Sequence, residues 1–351
     1  METAVIKVLI VEDSFLVAEL LSEIINSDPE LLVVGVARDG HQGVELAQKL
    51  NPDIITMDIN MPVMDGFEAT KQIMAYNPKP ILIISSAFTG EVDKIFRAFS
   101  YGALDVVHKG AIEDVSKQES KETLELIISK LKFLSKVKVI RHPLAKLEKP
   151  RIKTAPASIQ KGDNFHQEKI VGIVASTGGP RALLEVLRHF PPDFPCSVAI
   201  VQHISEGFTR GLVEWLGKEI HITIKEAEQG ETLRPATAYV APFGLQMQLT
   251  EDGKVLLEDG PPCNGFKPSA NVLLKSVAAV YKEGAIGVIL TGMGEDGAEG
   301  IKEIKQNGGA TIAEDEKTAA VFGMPKAAIE MGVVDKVLPI DRIGSGVIEV
   351  L

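Results

Sequence analysis

Short apolar runs alternate with segments of helical spacing through the first 134 residues. The runs at 5–11, 32–36, 53–57, 81–84 and 104–107 are rich in Val, Ile and Leu and read as buried strands. Between them, apolar positions recur every three or four residues over 14–25, 41–50, 65–75 and 91–100. A longer helix is expected over 120–134, with Ser120 as its N-cap. Five strand–helix units joined by short connections predict a parallel sheet covered on both faces. From 137 to 167 the periodicity fails, and Pro143, Pro150 and Pro156 punctuate a Lys-rich polar stretch. Apolar runs return at 170–175, 197–202 and 285–291, with helices between or after them, which predicts a second α/β domain. The expected division is a first domain at 1–127, a basic linker at 128–167 and a second domain at 168–351.

Composition narrows the setting. A chain of 351 residues with 45% hydrophobic and 24% charged residues is of globular type. Two cysteines cannot build a disulfide framework, the N-terminus lacks the basic flank of a signal peptide, and no run approaches the roughly 18 apolar residues that span a bilayer. A cytoplasmic protein with no membrane insertion is expected. The net charge of −11 is uneven, because residues 129–168 hold ten Lys/Arg against three Asp/Glu. Two acidic bodies joined by a basic strap argue against nucleic acid as a partner.

Candidate chemistry gathers at the predicted strand ends. In the first domain Glu12 and Asp13 follow the first strand and Asp58 follows the third. Neighbouring strands bring the three carboxylates together, and like charges so placed invite a divalent cation with oxygen ligands. Ser85 ends the fourth strand and Lys109 follows the fifth, adding a hydroxyl and an ammonium suited to a phosphorylated carboxylate. The runs Val11-Glu12-Asp13-Ser14, Met57-Asp58-Ile59-Asn60-Met61-Pro62 with Asp65-Gly66, Ser85-Ser86 and Lys109 resemble a response-regulator receiver domain. The resemblance implies a flavodoxin-like doubly wound fold and phosphorylation of Asp58 by a chemotaxis histidine kinase. It further implies magnesium held by Glu12, Asp13, Asp58 and the Asn60 carbonyl, with Ser85 and Lys109 sensing the phosphate. Gly110 stands where that family usually has proline.

In the second domain Ser176 sits at a sharp strand-to-helix junction, Ala175-Ser176-Thr177-Gly178-Gly179-Pro180. The first N–H groups of a helix are unpaired, so a hydroxyl there lies where an oxyanion is stabilised. A nucleophilic serine needs a base and a group to orient it. His203 and Asp296 each follow a predicted strand, which offers Ser, His and Asp to one edge of one sheet. Val174 breaks the α/β-hydrolase elbow motif, and the chain order Ser, His, Asp differs from that fold's. A competing reading takes Gly292-Met293-Gly294-Glu295-Asp296-Gly297 as a dinucleotide fingerprint, with Glu314 or Asp315 as its ribose acid.

The second domain resembles the protein-glutamate methylesterase domain of bacterial chemotaxis, the CheB family. The resemblance rests on the Ser176 junction, Gln202-His203 with Phe208-Thr209, and Ala241-Pro242. It extends through Lys267-Pro268-Ser269-Ala270, Thr291-Gly292-Met293-Gly294, Asp296-Gly297-Ala298 and Gly323-Met324-Pro325. It implies an α/β doubly wound domain in which Ser176 is nucleophile, His203 base and acid, and Asp296 the orienting carboxylate. Thr177 and Met293 then flank an oxyanion hole of backbone N–H groups, and no cofactor serves the esterase reaction. The implied substrates are glutamate methyl esters, and certain glutamines, of methyl-accepting chemoreceptors. An unphosphorylated receiver is expected to restrain the esterase. The chain departs from the family pattern at Val174, Ser205, Phe243, Gln246, Asn271 and Glu314. A receiver joined to a catalytically inert docking domain is the other class of function considered, and a transcriptional output is disfavoured by the absence of a helix-turn-helix pattern.

Overall fold

The computed structural model describes residues 5–85, 92–113, 118–137, 139 and 169–351. The chain divides into two compact units, Met1–Arg151 and Ile152–Leu351.

The first unit holds strands β1 (Ile6–Val11), β2 (Leu31–Ala37), β3 (Ile54–Met57), β4 (Ile81–Ser85) and β5 (Asp105–His108). Its helices are α1 (Phe15–Asn26), α2 (Gly40–Leu50), α3 (Gly66–Tyr76), α4 (Val92–Ser100), the single turn α5 (Gly110–Glu113) and α6 (Gln118–Leu134). All five strands are parallel in the order β2-β1-β3-β4-β5, so β1 and β3 are neighbours and flank the point where the winding reverses. Side chains of Ser14, Asp39 and Asp65 accept N–H bonds at the starts of α1, α2 and α3, which stops each helix from extending back toward the strand ends. The central strands bury side chains on both faces; Val8, Leu9, Ile10, Ile54, Ile55 and Leu82 are all inaccessible to solvent.

Helix α6 ends at Leu134 as expected but starts two residues earlier than expected. It begins at Gln118, so Ser120 lies inside the helix and is not its cap; glutamine and glutamate are better helix formers than serine. It continues to Leu134 with Leu131 and Leu134 buried, so residues 128–134 pack as helix and are not linker. Most of the expected linker lies outside the described residues, as does Ser86.

The second unit is built on seven parallel strands in the order β14-β13-β12-β6-β7-β9-β8. These are β6 (Ile170–Ala175), β7 (Ser197–Gln202), β8 (Thr223–Glu226), β9 (Thr237–Val240), β12 (Ala285–Ile289), β13 (Ala310–Glu314) and β14 (Lys336–Leu338). A separate antiparallel hairpin joins β10 (Gln246–Leu249) to β11 (Val255–Glu258). The helices are α7 (Gly179–Leu187), α8 (Thr209–Glu219), α9 (Ala270–Tyr281), α10 (Ala298–Gln306), α11 (Met324–Glu330) and α12 (Ile340–Ile348). Helix α9 packs on α10 and α10 on α11, while α7 packs on α12 and α8, giving two helical groups around a central sheet. The chain winds outward from β6 toward β7 on one side and β12 on the other. The reversal therefore falls between β6 and β12, where α/β sheets place their ligand crevice.

Candidate active site

In the first unit Glu12, Asp58, Lys109 and Ser85 are all buried, and Asp13 is exposed. Parallel pairing of β1 with β3 sets the carboxylates of Glu12, Asp13 and Asp58 within 4.8 Å of one another. The Lys109 ammonium bridges two of them, at 2.6 Å from Glu12 Oε2 and 2.8 Å from Asp58 Oδ2. Burial pushes the carboxyls of Glu12 and Asp58 above their ordinary values despite the cation beside them. Burial also opposes the charge on Lys109, but Asp58 and Glu12 outweigh it, and its pKa lies above that of an ordinary lysine. Three converging hard oxygen donors, with a buried ammonium beside two of them, fit a magnesium-type ion. Two glycines shape this edge. A Cβ on Gly66 would lie 1.8 Å from the Asp58 carbonyl oxygen, so only glycine fits there. Gly110 donates its N–H to His108 Nδ1 at 3.0 Å, a bond that proline could not make.

In the second unit the expected residues occupy the ends of three adjacent strands, Ser176 after β6, His203 after β7 and Asp296 in the turn after β12. Ser176 N–H donates to the Thr291 carbonyl at 3.0 Å, and His203 N–H to the Ala175 carbonyl at 2.9 Å. Gln202, the last residue of β7, ties the two sites together. Its amide nitrogen donates to the carbonyls of Ser176, at 2.7 Å, and His203, at 2.8 Å. Gly178 has φ +78°, and a Cβ there would lie 2.7 Å from Ala320 Cβ. Only glycine turns the chain at that point into α7, whose N-terminus has no side-chain cap. A Cβ on Gly292 would come within 2.8 Å of Ser176 Cβ, so the turn after β12 reaches up to the serine.

His203 Nε2 meets Asp296 Oδ2 at 3.0 Å, and its ring stacks on Phe266 with centroids 4.2 Å apart and planes 7° from parallel. Asp296 is 1% exposed and accepts three further hydrogen bonds. Ser269 Oγ–H and Asn271 N–H donate to Oδ1 at 2.9 and 3.0 Å, and Ala270 N–H donates to Oδ2 at 2.7 Å. Burial works against this carboxylate, but His203 and the N–H groups of Ala270 and Asn271 prevail and hold its pKa below the ordinary 3.8. It is therefore an anion, able to orient an imidazole and stabilise an imidazolium but not to act as a base near neutral pH. With Nε2 engaged, Nδ1 is the ring nitrogen left for the serine. Nδ1 is buried and has no hydrogen-bond partner, so the serine–imidazole bond is the one contact of the three-residue arrangement that is not made. Such bonds are commonly loose until a substrate is in place.

Thr177 is buried, and its carbonyl accepts the Thr291 hydroxyl at 2.9 Å; Met293 is half-buried in the neighbouring turn. The acids required by the dinucleotide reading have other work. Glu314 is buried and accepts the Thr291 N–H at 2.9 Å, and Asp315 Oδ1 accepts both the N–H and hydroxyl of Thr318. Sequence patterning assigns no role to Phe266 or Ser269 and marks Gln246 only as a departure from the family pattern. A serine before a helix reads as an N-cap, yet the Ser269 hydroxyl turns away from α9 and goes to Asp296.

A parallel receiver-type unit and a second parallel unit with Ser, His and Asp at adjacent strand ends define a two-domain signalling hydrolase architecture. Comparison with known proteins agrees. Residues 171–347 match the CheB methylesterase family and residues 8–119 the response regulator receiver domain. Protein-glutamate methylesterase/protein-glutamine glutaminase 2 of Anaeromyxobacter dehalogenans is 45% identical over 96% of this chain and 95% of the relative. The protein-glutamate methylesterase/protein-glutamine glutaminase of Pyrococcus horikoshii is 40% identical over 98% and 93%. The crystal structure of the Thermotoga maritima CheB methylesterase catalytic domain covers 52% of this chain and 98% of its own, at 43% identity and a TM-score of 0.50. The chain belongs to the CheB methylesterase family, whose members are carboxylic ester hydrolases.

Proposed function

We propose that this protein is a phosphorylation-controlled protein-glutamate methylesterase acting on methylated chemoreceptors in the cytoplasm. The observation that carries the reading is the His203–Asp296 pair at 3.0 Å, tied through Gln202 to the turn that bears Ser176. Ser176 Oγ attacks the carbonyl carbon of the glutamate methyl ester while His203 Nδ1 takes its proton. The oxyanion forms against backbone N–H groups at the start of α7, with Thr177 and Met293 flanking the site. The C–OCH3 bond then breaks, methanol leaves with the proton from His203, and water returns the acyl-enzyme to free serine and glutamate. An amide substrate runs the same course with ammonia as leaving group, which accounts for glutaminase activity.

In the receiver, Asp58 accepts a phosphoryl group from a histidine kinase. Glu12, Asp13, Asp58 and the Asn60 carbonyl are the residues to hold magnesium, which offsets the negative charge of the transferring phosphoryl group when bound. Ser85 and Lys109 sit at the strand ends where that group would be met, and Lys109 already contacts Asp58. Methanol release from methylated receptor, measured with and without a small-molecule phosphodonor, tests both halves. Release that rises with the phosphodonor, and rises again in the basal state when residues 1–140 are removed, is the expected result. No methanol from the intact protein would instead favour an inert receptor-docking domain.

A further inference from the structure

We propose that Gln246 is a positioning residue for the esterase reaction, one side chain that bonds to both supports of the His203–Asp296 pair. The inference rests on the esterase assignment above. Gln246 opens β10, in the hairpin outside the main sheet, and its side chain is buried. Its Oε1 accepts the Ser269 N–H at 2.8 Å. Its Nε2 donates to the Phe266 carbonyl at 3.1 Å and the Pro261 carbonyl at 3.2 Å.

Each bond leads to one half of the pair. Phe266 is the ring stacked on His203, and Ser269 is the hydroxyl that donates to Asp296 Oδ1 at 2.9 Å. Residues 259–269, which carry both, form no strand and are tied within themselves by the Cys263–Phe266 bridge and the Lys267–Asp259 ion pair. An amide suits the position because it offers two donors and an acceptor in one plane. A carboxylate would set a second acceptor against two carbonyls, and leucine would take the partner from the Ser269 N–H and the Pro261 C=O and leave the Phe266 C=O only its bond from the Cys263 N–H. Histidine keeps one donor and one acceptor.

The test compares the parent with Gln246→Leu, Gln246→Glu and Gln246→His in the full-length chain. Three readouts are taken: steady-state kinetics of methanol release, thermal melting, and the downfield proton resonance of the His203 Nε2–H···Asp296 bond. Gln246→Leu and Gln246→Glu are each expected to lower kcat about 10- to 100-fold with KM within about twofold, because the imidazole is misaligned while receptor docking is untouched. Both should broaden or lose the resonance, and Gln246→His should restore it together with most of kcat. Either of the first two variants, folded and retaining parental kcat and resonance, overturns the inference. So does an activity loss that follows melting temperature alone with the resonance unchanged. If Gln246→Leu does not fold, Gln246→Glu and Gln246→His still decide the matter. A parent that releases no methanol fails the esterase assignment instead, and the resonance then reports on Gln246 independently.

Discussion

Replacing Glu314 by glutamine isolates one buried ionisation against the turn after β12, whose Thr291 carbonyl accepts the Ser176 N–H. Glu314 ends β13, is 1% exposed, and accepts the Thr291 N–H at 2.9 Å. Burial pushes its pKa up to about 7, with Asp315 adding to the rise and the Thr291 N–H, Thr318 and Arg181 opposing it. In the unfolded chain the same carboxyl titrates near its ordinary 4.5. Below that pH both states are protonated and the group is neutral to stability. Between pH 4.5 and 7 the unfolded chain ionises and the folded one does not, so stability falls as pH rises. Above pH 7 the loss is complete, and the gap corresponds to about 3 kcal/mol.

Glutamine cannot ionise, and its carbonyl still accepts the Thr291 N–H. Glu314→Gln is therefore predicted to lie within about 1 kcal/mol of the parent at pH 5 and to be about 3 kcal/mol more stable at pH 8. Urea unfolding followed by tryptophan fluorescence measures this in the right domain, because the chain's one tryptophan, Trp215, is buried in α8 of the second unit. A difference between variant and parent that is the same at pH 5 and pH 8 would refute the reasoning. Glu314 would then be ionised in the folded state at both.

Two further substitutions have worked expectations. Val63 is a β-branched residue at φ 66° and is 89% exposed in the β3–α3 connection. Val63→Gly should relieve about 1–2 kcal/mol of left-handed strain, less about 0.5–1 kcal/mol of glycine entropy, and so raise the receiver's urea midpoint modestly; a lower midpoint contradicts this. Asp296→Asn keeps the shape but replaces one acceptor oxygen by a donor facing groups that already donate, and should cost about 1–3 kcal/mol along with a kcat loss on the order of 10³–10⁴. Because the folded pKa of Asp296 is below 3.8, its stabilisation is present above that value and lost as pH falls through the folded one. The Asn variant should lack that acid-side slope in urea midpoints between pH 5 and 3, and an unchanged slope assigns it to other groups.

Burial on both faces made the central architecture legible. All six residues of β6 and of β7 are buried, which leaves near-continuous apolar runs, and the receiver strands read the same way. The edge and hairpin strands carry no such signal. Strand β8 is Thr-Ile-Lys-Glu with no buried residue, β14 is three residues long, and β10 opens with a glutamine that is buried only because distant carbonyls meet its amide. The site divides along the same line. The placement of Ser176, His203 and Asp296 at one sheet edge was legible because the first two directly follow central strands and the third lies in the turn after another. Phe266, Ser269 and Gln246 were not, because their roles rest on contacts between segments separated by about 20 to 60 residues, and local pattern holds no record of those. Ser120 resembles a cap, but the stronger helix formers Gln118 and Glu119 precede it and helix α6 starts there.

The claim at the centre of this account is that Ser176 is the nucleophile. Its most direct test is methanol release from methylated receptor by Ser176→Ala in the phosphorylated full-length protein, with urea unfolding checked in parallel. The predicted result is a loss of turnover on the order of 10⁴-fold or more with an unfolding midpoint close to the parent's. Turnover retained by a folded Ser176→Ala protein would contradict the account.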